Sequence, residues 1–91
     1  MGYNVDSIRK QFPMLDESKK MQGHSLVYLD NSSTTFKPQC VIDAISSYYT
    51  DLTANAHRGD YDLLYRMDVE VLNTRKAVAR FVNCDVGEVI F

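Results

Sequence analysis

The chain has 91 residues, of which 45% are hydrophobic and 24% charged, close to globular averages, so disordered and low-complexity architectures are excluded. Ten basic residues against twelve acidic ones leave a formal charge of −2, which argues against a nucleic-acid surface. The apolar runs are too short for a membrane-spanning helix and the opening residues lack a secretory-signal pattern, so the expectation is a cytoplasmic chain with reduced thiols.

The first predicted element is a short helix over residues 6–12. Val5, Ile8 and Phe12 recur at helical spacing, and either Asn4 or Asp6 can accept from the unpaired amides of the first turn. Pro13 disfavours helical geometry at Phe12 and stops it. Residues 16–25 are polar, contain Gly23, and read as a loop. Leu26-Val27-Tyr28-Leu29 is a β-prone run without polar alternation, which predicts a strand over 26–29 covered on both faces.

Asp30-Asn31-Ser32-Ser33-Thr34-Thr35 comes next, six short polar side chains of the kind that satisfy exposed backbone groups. By itself this is as well read as a solvated turn as a site. Pro38 suits a helix start, and Val41, Ile42, Ile45, Tyr48, Tyr49 and Leu52 form one apolar stripe, predicting a helix over 38–52. The stretch from Thr53 to Gly59 breaks that periodicity. A third helix is expected over 61–82, with Leu64, Met67, Val71, Val78 and Val82 on one face and Asp62–Arg66 and Arg66–Glu70 as opposite-charge pairs. Asn83 suits a left-handed cap, residues 85–88 a turn, and Val89-Ile90-Phe91 the start of a second strand.

Strand, helix, helix, strand order suggests a crossover between parallel strands of a sheet that needs further members. The expectation is therefore one undivided segment, residues 1–91, at the front of a larger α/β protein. Cys40 and Cys84 have no metal-ligand spacing, so no metal site is expected, and both read as structural thiols. His24, beside Gly23, reads as an ordinary loop residue.

Four motifs in order carry a family resemblance: Asp6…Phe12-Pro13…Leu15; Tyr28-Leu29-Asp30-Asn31-Ser32-Ser33-Thr34-Thr35…Lys37-Pro38; Ala56-His57-Arg58-Gly59; and Asn73-Thr74-Arg75-Lys76 leading to Val89-Ile90-Phe91. The sequence resembles the amino-terminal region of group II cysteine desulfurases and selenocysteine lyases. These are class V aminotransferase-like enzymes of the fold-type I group that use pyridoxal phosphate. The resemblance implies an α/β parent of which these residues form a mostly helical part. It also implies removal of sulfur or selenium from L-cysteine or L-selenocysteine to leave alanine, with the cofactor as electron sink. A homodimer, a sulfur-acceptor protein and a role in iron–sulfur cluster assembly are implied too.

In the family, the imine-forming lysine, the phosphate donors and the persulfide cysteine match positions beyond Phe91. The 91 residues are therefore expected to bind no cofactor and to be inactive alone, with no catalytic residue among them. The resemblance makes His57 a substrate-binding residue at the pocket mouth, where an imidazole can hydrogen-bond substrate. It places Asn31, Ser32 and Ser33 in a turn lining the substrate end, with two hydroxyls where relatives often carry alanines. It sets Arg58 at the dimer interface. The other class of reading is a stand-alone helical dimerisation or protein-interaction module that docks through Tyr48, Tyr49 and Leu52.

Overall fold

A computed structural model describes residues 2–57 and 59–91. They fall into two compact units, residues 1–46 and 47–91.

In the first unit, α1 (Val5–Arg9) is capped by Asn4, whose Oδ1 accepts from the Ser7 amide at 3.0 Å, with Asp6 at the positive end of the helix. The helix ends three residues before the expected Phe12. Pro13 holds Phe12 extended (φ −109°, ψ 107°), and the last turn tightens as the Gln11 and Phe12 amides donate to the carbonyls of Ile8 and Arg9. A 3₁₀ turn, Pro13–Leu15, comes next with the proline at its start. Beyond it, Asp16 accepts from both the hydroxyl and the amide of Ser18, which holds its carboxyl below the usual carboxylate range.

The stretch expected to be a loop contains a hairpin. β1 (Lys20–Met21) pairs antiparallel with β2 (His24–Ser25), Lys20 opposite Ser25 and Met21 opposite His24. The two-residue turn Gln22-Gly23 has positive φ at both positions (53° and 79°), the geometry whose twist matches a right-handed hairpin.

The strands expected at 26–29 and 89–91 do not form. Residues 26–29 alternate as an extended chain does, Leu26 and Tyr28 half-buried, Val27 and Leu29 78% and 90% exposed. A strand also requires a neighbour to complete its ladder, and the described residues offer these segments none. The 30–35 loop is closed by Tyr28, which stacks on Phe36 at 4.1 Å and directs its hydroxyl to the carbonyls of Asp30 and Thr34. Within that loop the Ser33 and Thr34 amides both donate to the Asp30 carbonyl.

α2 (Gln39–Ser47) starts directly after Pro38, whose carbonyl accepts from Val41 and Ile42, while the Gln39 amide donates to the Gln11 carbonyl at 2.8 Å. The expected helix over 38–52 is thus an α-helix to Ser47 succeeded by a π-helical turn, Tyr48–Leu52. In that wider turn the Thr53 hydroxyl donates to the Tyr48 carbonyl at 2.8 Å, supplying a partner the α ladder would otherwise give.

The second unit is organised on α3 (Asp62–Val82), close to the expected 61–82. Of the expected face, Leu64 is buried and Met67 and Val71 are half-buried, whereas Val78 and Val82 are exposed; Asp68, Arg75 and Ala79 also face inward. The expected Asp62–Arg66 and Arg66–Glu70 pairs do not close. Among the described residues the acid–base contact that does is His57–Asp68. Asn83 caps the helix in the left-handed conformation (φ 58°, ψ 55°), and the Cys84 amide donates back to the Ala79 carbonyl. A 3₁₀ turn, Val86–Glu88, is held by a reciprocal capping box between Asp85 and Glu88. It delivers Val89 to the inward face of α3, where its carbonyl accepts from Arg75 Nη1 at 2.6 Å. The same guanidinium lies 4.9 Å from the centre of the Phe91 ring.

Among the described residues the buried apolar side chains are Leu64, Ala79 and Val89, all of the second unit. Among the described residues no helix is long and apolar enough to cross a membrane.

Local stability can be probed at the helix cap and at the loop closure. Asn83→Ala should lower stability by about 1 kcal/mol in thermal melts, since a Cβ without the asparagine amide is strained in the left-handed region, while Asn83→Gly stays near the parent. Tyr28→Phe removes the hydroxyl that closes the 30–35 loop. Amide exchange at Ser33 and Thr34 should then speed up by about fivefold, the equivalent of about 1 kcal/mol for one hydrogen bond.

Candidate functional site

Asn31, Ser32 and Ser33 are consecutive in the loop that Tyr28 closes, and all three are exposed. Short polar side chains suit this place, because the loop's own amides already satisfy the Asp30 carbonyl and leave the side chains outward. Lys37 braces the far side, its Nζ donating to Thr34 Oγ1 at 3.2 Å and to the Thr35 carbonyl at 2.6 Å. A groove of about 710 Å³ runs beside the loop, walled by Phe12, Leu15, Leu26, Tyr28 and Phe36 and reached by Asn31. Ser32 and Ser33 are not among its lining residues.

His57 belongs to the second unit. Its backbone is left-handed (φ 64°), uncommon for a residue with a Cβ and costing about 1 kcal/mol unless something holds it. Asp68 of α3 does so. One carboxylate oxygen, Oδ1, accepts from the His57 amide at 3.0 Å and lies 3.3 Å from His57 Nδ1. The imidazole is 69% exposed and the aspartate side chain 34%. Two residues on, Gly59 takes φ 132°, and a Cβ there would meet the Tyr61 ring at 3.4 Å. Arg58, expected at a dimer interface, lies outside the described residues.

The sequence motifs assign no role to Asp68, which none of them contains, or to Arg75, which one of them does. A signal for both is present: each interrupts the apolar line of α3, Asp68 between Leu64 and Val71, Arg75 between Val71 and Ala79. A charge on the inward face of a helix calls for a partner, and each has one. The two thiols differ in setting: Cys40 is exposed, Cys84 half-buried, and neither is bonded to the other. His24 is a hairpin residue opposite Met21. Among the described residues no three His, Cys, Asp or Glu side chains gather to hold a metal.

The anchoring set for pyridoxal phosphate can be tested against the groove. An imine requires a lysine, and none lines it; Arg9 is its one cation, and no acid is present to pair with a ring nitrogen. All five lysines are exposed, and Lys37 is engaged by the loop it braces. These residues do not by themselves fit the cofactor.

Comparison with known proteins bears on the same stretch. The chain is 48% identical over 82 residues to a probable cysteine desulfurase of Vibrio cholerae, covering 90% of this chain and 20% of that protein. It is 44% identical over 89 residues to a probable cysteine desulfurase of Streptomyces coelicolor, covering 97% and 21% respectively. The apo structure of a cysteine desulfurase from Thermococcus onnurineus superposes with a TM-score of 0.77 at 29% identity, over 99% of this chain and 20% of that one. The chain thus spans about a fifth of the length of these relatives. The superposition carries the expected fold-type I assignment, with this stretch its mostly helical part. Residues 27–91 match the aminotransferase class-V family, and the chain belongs to it.

Proposed function

We propose that residues 1–91 form one amino-terminal segment of a pyridoxal-phosphate-dependent enzyme acting in the cytoplasm. It removes sulfur or selenium from L-cysteine or L-selenocysteine and leaves alanine. The observation that carries this reading is the match to cysteine desulfurases along nearly the whole chain, in sequence and in fold together.

In this reading the segment supplies wall and contacts. Asn31, Ser32 and Ser33, on a loop held shut by Tyr28, offer an amide and two hydroxyls to the polar end of an amino acid. His57 offers an imidazole at the entrance. Arg58 faces a second copy of the chain across a dimer interface, and a sulfur-acceptor protein takes the product sulfur. Pyridoxal phosphate, held by groups other than those of the groove, supplies the electron sink for the chemistry.

Two assays test this. The complete protein carrying this segment, supplied with pyridoxal phosphate, should release alanine from L-cysteine or L-selenocysteine. His57→Gln should lower kcat/KM by about tenfold, the scale of one lost hydrogen bond to a substrate. Absence of alanine from both substrates would sink the activity, and an unchanged kcat/KM would remove His57 from the site. The 91 residues alone should show no imine absorbance and no lysine trapped by borohydride. A stoichiometric imine at one of the five lysines would mean that the segment holds the cofactor unaided.

A further inference from the structure

We infer that Asp68 is the positioning residue for His57, and that it fixes which imidazole nitrogen faces the substrate. This rests on the proposed role of His57 as a substrate contact and goes one step further, to the form in which the ring is presented.

A left-handed histidine is disfavoured, and the described residues beside it form no regular ladder to impose it. What the turn has is one acceptor eleven residues away, Asp68 Oδ1, taking the His57 amide at 3.0 Å. Asp68 sits near the start of the long helix α3, between inward-facing Leu64 and Val71, so the oxygen is delivered by the most regular element of the second unit. An irregular turn is thereby tied to a rigid helix.

The same oxygen stands 3.3 Å from Nδ1 of the ring. An ionised carboxylate offers only lone pairs, so a neutral imidazole is favoured here with its proton on Nδ1. Nε2 then carries a lone pair and can only accept. A neutral His57 would therefore take a hydrogen bond or a proton from a substrate N–H or S–H, and would not donate to the substrate carboxylate. The proton stays on the substrate atom when Nε2 only accepts a hydrogen bond, or moves from that atom to Nε2, and no other reactant is required. Free histidine prefers the opposite form, with the proton on Nε2, so the arrangement has a distinct spectroscopic signature.

The test uses the complete protein labelled with ¹⁵N-histidine, above the pH at which the ring becomes neutral, with the His57 signal assigned by its loss in His57→Gln. The unsubstituted protein should show the Nδ1–H form. Asp68→Ala should revert it to Nε2–H, while Asp68→Asn, whose amide oxygen still accepts, should retain Nδ1–H. An Nε2–H form in the unsubstituted protein overturns the inference without any variant, and so does an Nδ1–H form that persists in Asp68→Ala. In turnover, Asp68→Ala should cost about tenfold in kcat/KM for L-cysteine and nothing further in a His57→Gln background. An equal loss in both backgrounds would show that Asp68 acts elsewhere. If His57→Gln alone leaves kcat/KM unchanged, the substrate contact falls, while the tautomer shift still reports whether Asp68 holds the ring.

Discussion

Scarcity of burial governs this stretch of chain. Among the described residues only Leu64, Ala79 and Val89 are enclosed, and no side chain of the first unit is. Apolar side chains that would ordinarily stabilise a fold by leaving water remain in it: Val27, Leu29, Ile45, Ile90 and Phe91 are each more than half exposed. Local hydrogen bonding sets the conformation instead. Asn4 caps α1, Tyr28 closes the 30–35 loop, Thr53 completes the π turn, and Asp85 and Glu88 cap each other. Such contacts are short in sequence separation, so they close at little entropic cost even where no core supports them.

Besides the backbone bond from Gln39 to the Gln11 carbonyl, the long-range exceptions are two side-chain bonds from α3. Asp68 reaches His57 across eleven positions, and Arg75 reaches Val89 across fourteen. Both start from the inward face of α3 and both end on backbone. The helix works as a bar from which two otherwise unsupported pieces of chain are hung, one bearing the candidate substrate contact and one bearing the extended segment that ends in Phe91. Two charged side chains where aliphatic ones would bury more are the means of doing so.

The helices are legible in the sequence because their signals are local. Spacing of apolar residues, Pro13, Pro38 and Asn83 each act within a turn or two, and the observed ends fall within a few residues of the expected ones. The strands are not, for two different reasons. Leu26–Leu29 and Val89–Phe91 have the composition of strands, but pairing is a property of two segments, and the described residues hold no second segment for either. Lys20–Met21 and His24–Ser25 pair with no apolar alternation to announce it, and the clue is the Gln22-Gly23 turn. For the site, the motifs locate Asn31, Ser32, Ser33 and His57 on loops. The left-handed backbone of His57 and its aspartate cannot be read there, since both arise from an approach across eleven residues.

The π turn between α2 and Thr53 has a consequence for how this region varies over evolutionary time. A π turn, with hydrogen bonds to the fifth residue instead of the fourth, holds one residue more than the α-helical turn it replaces, so the coil carries an extra residue by widening. Loss of one residue among Tyr48, Tyr49, Thr50, Asp51 and Leu52 would restore ordinary helical pitch and make the supporting Thr53 hydroxyl dispensable. Single-residue length differences among related enzymes are therefore best accommodated at this point, where the coil itself absorbs the change.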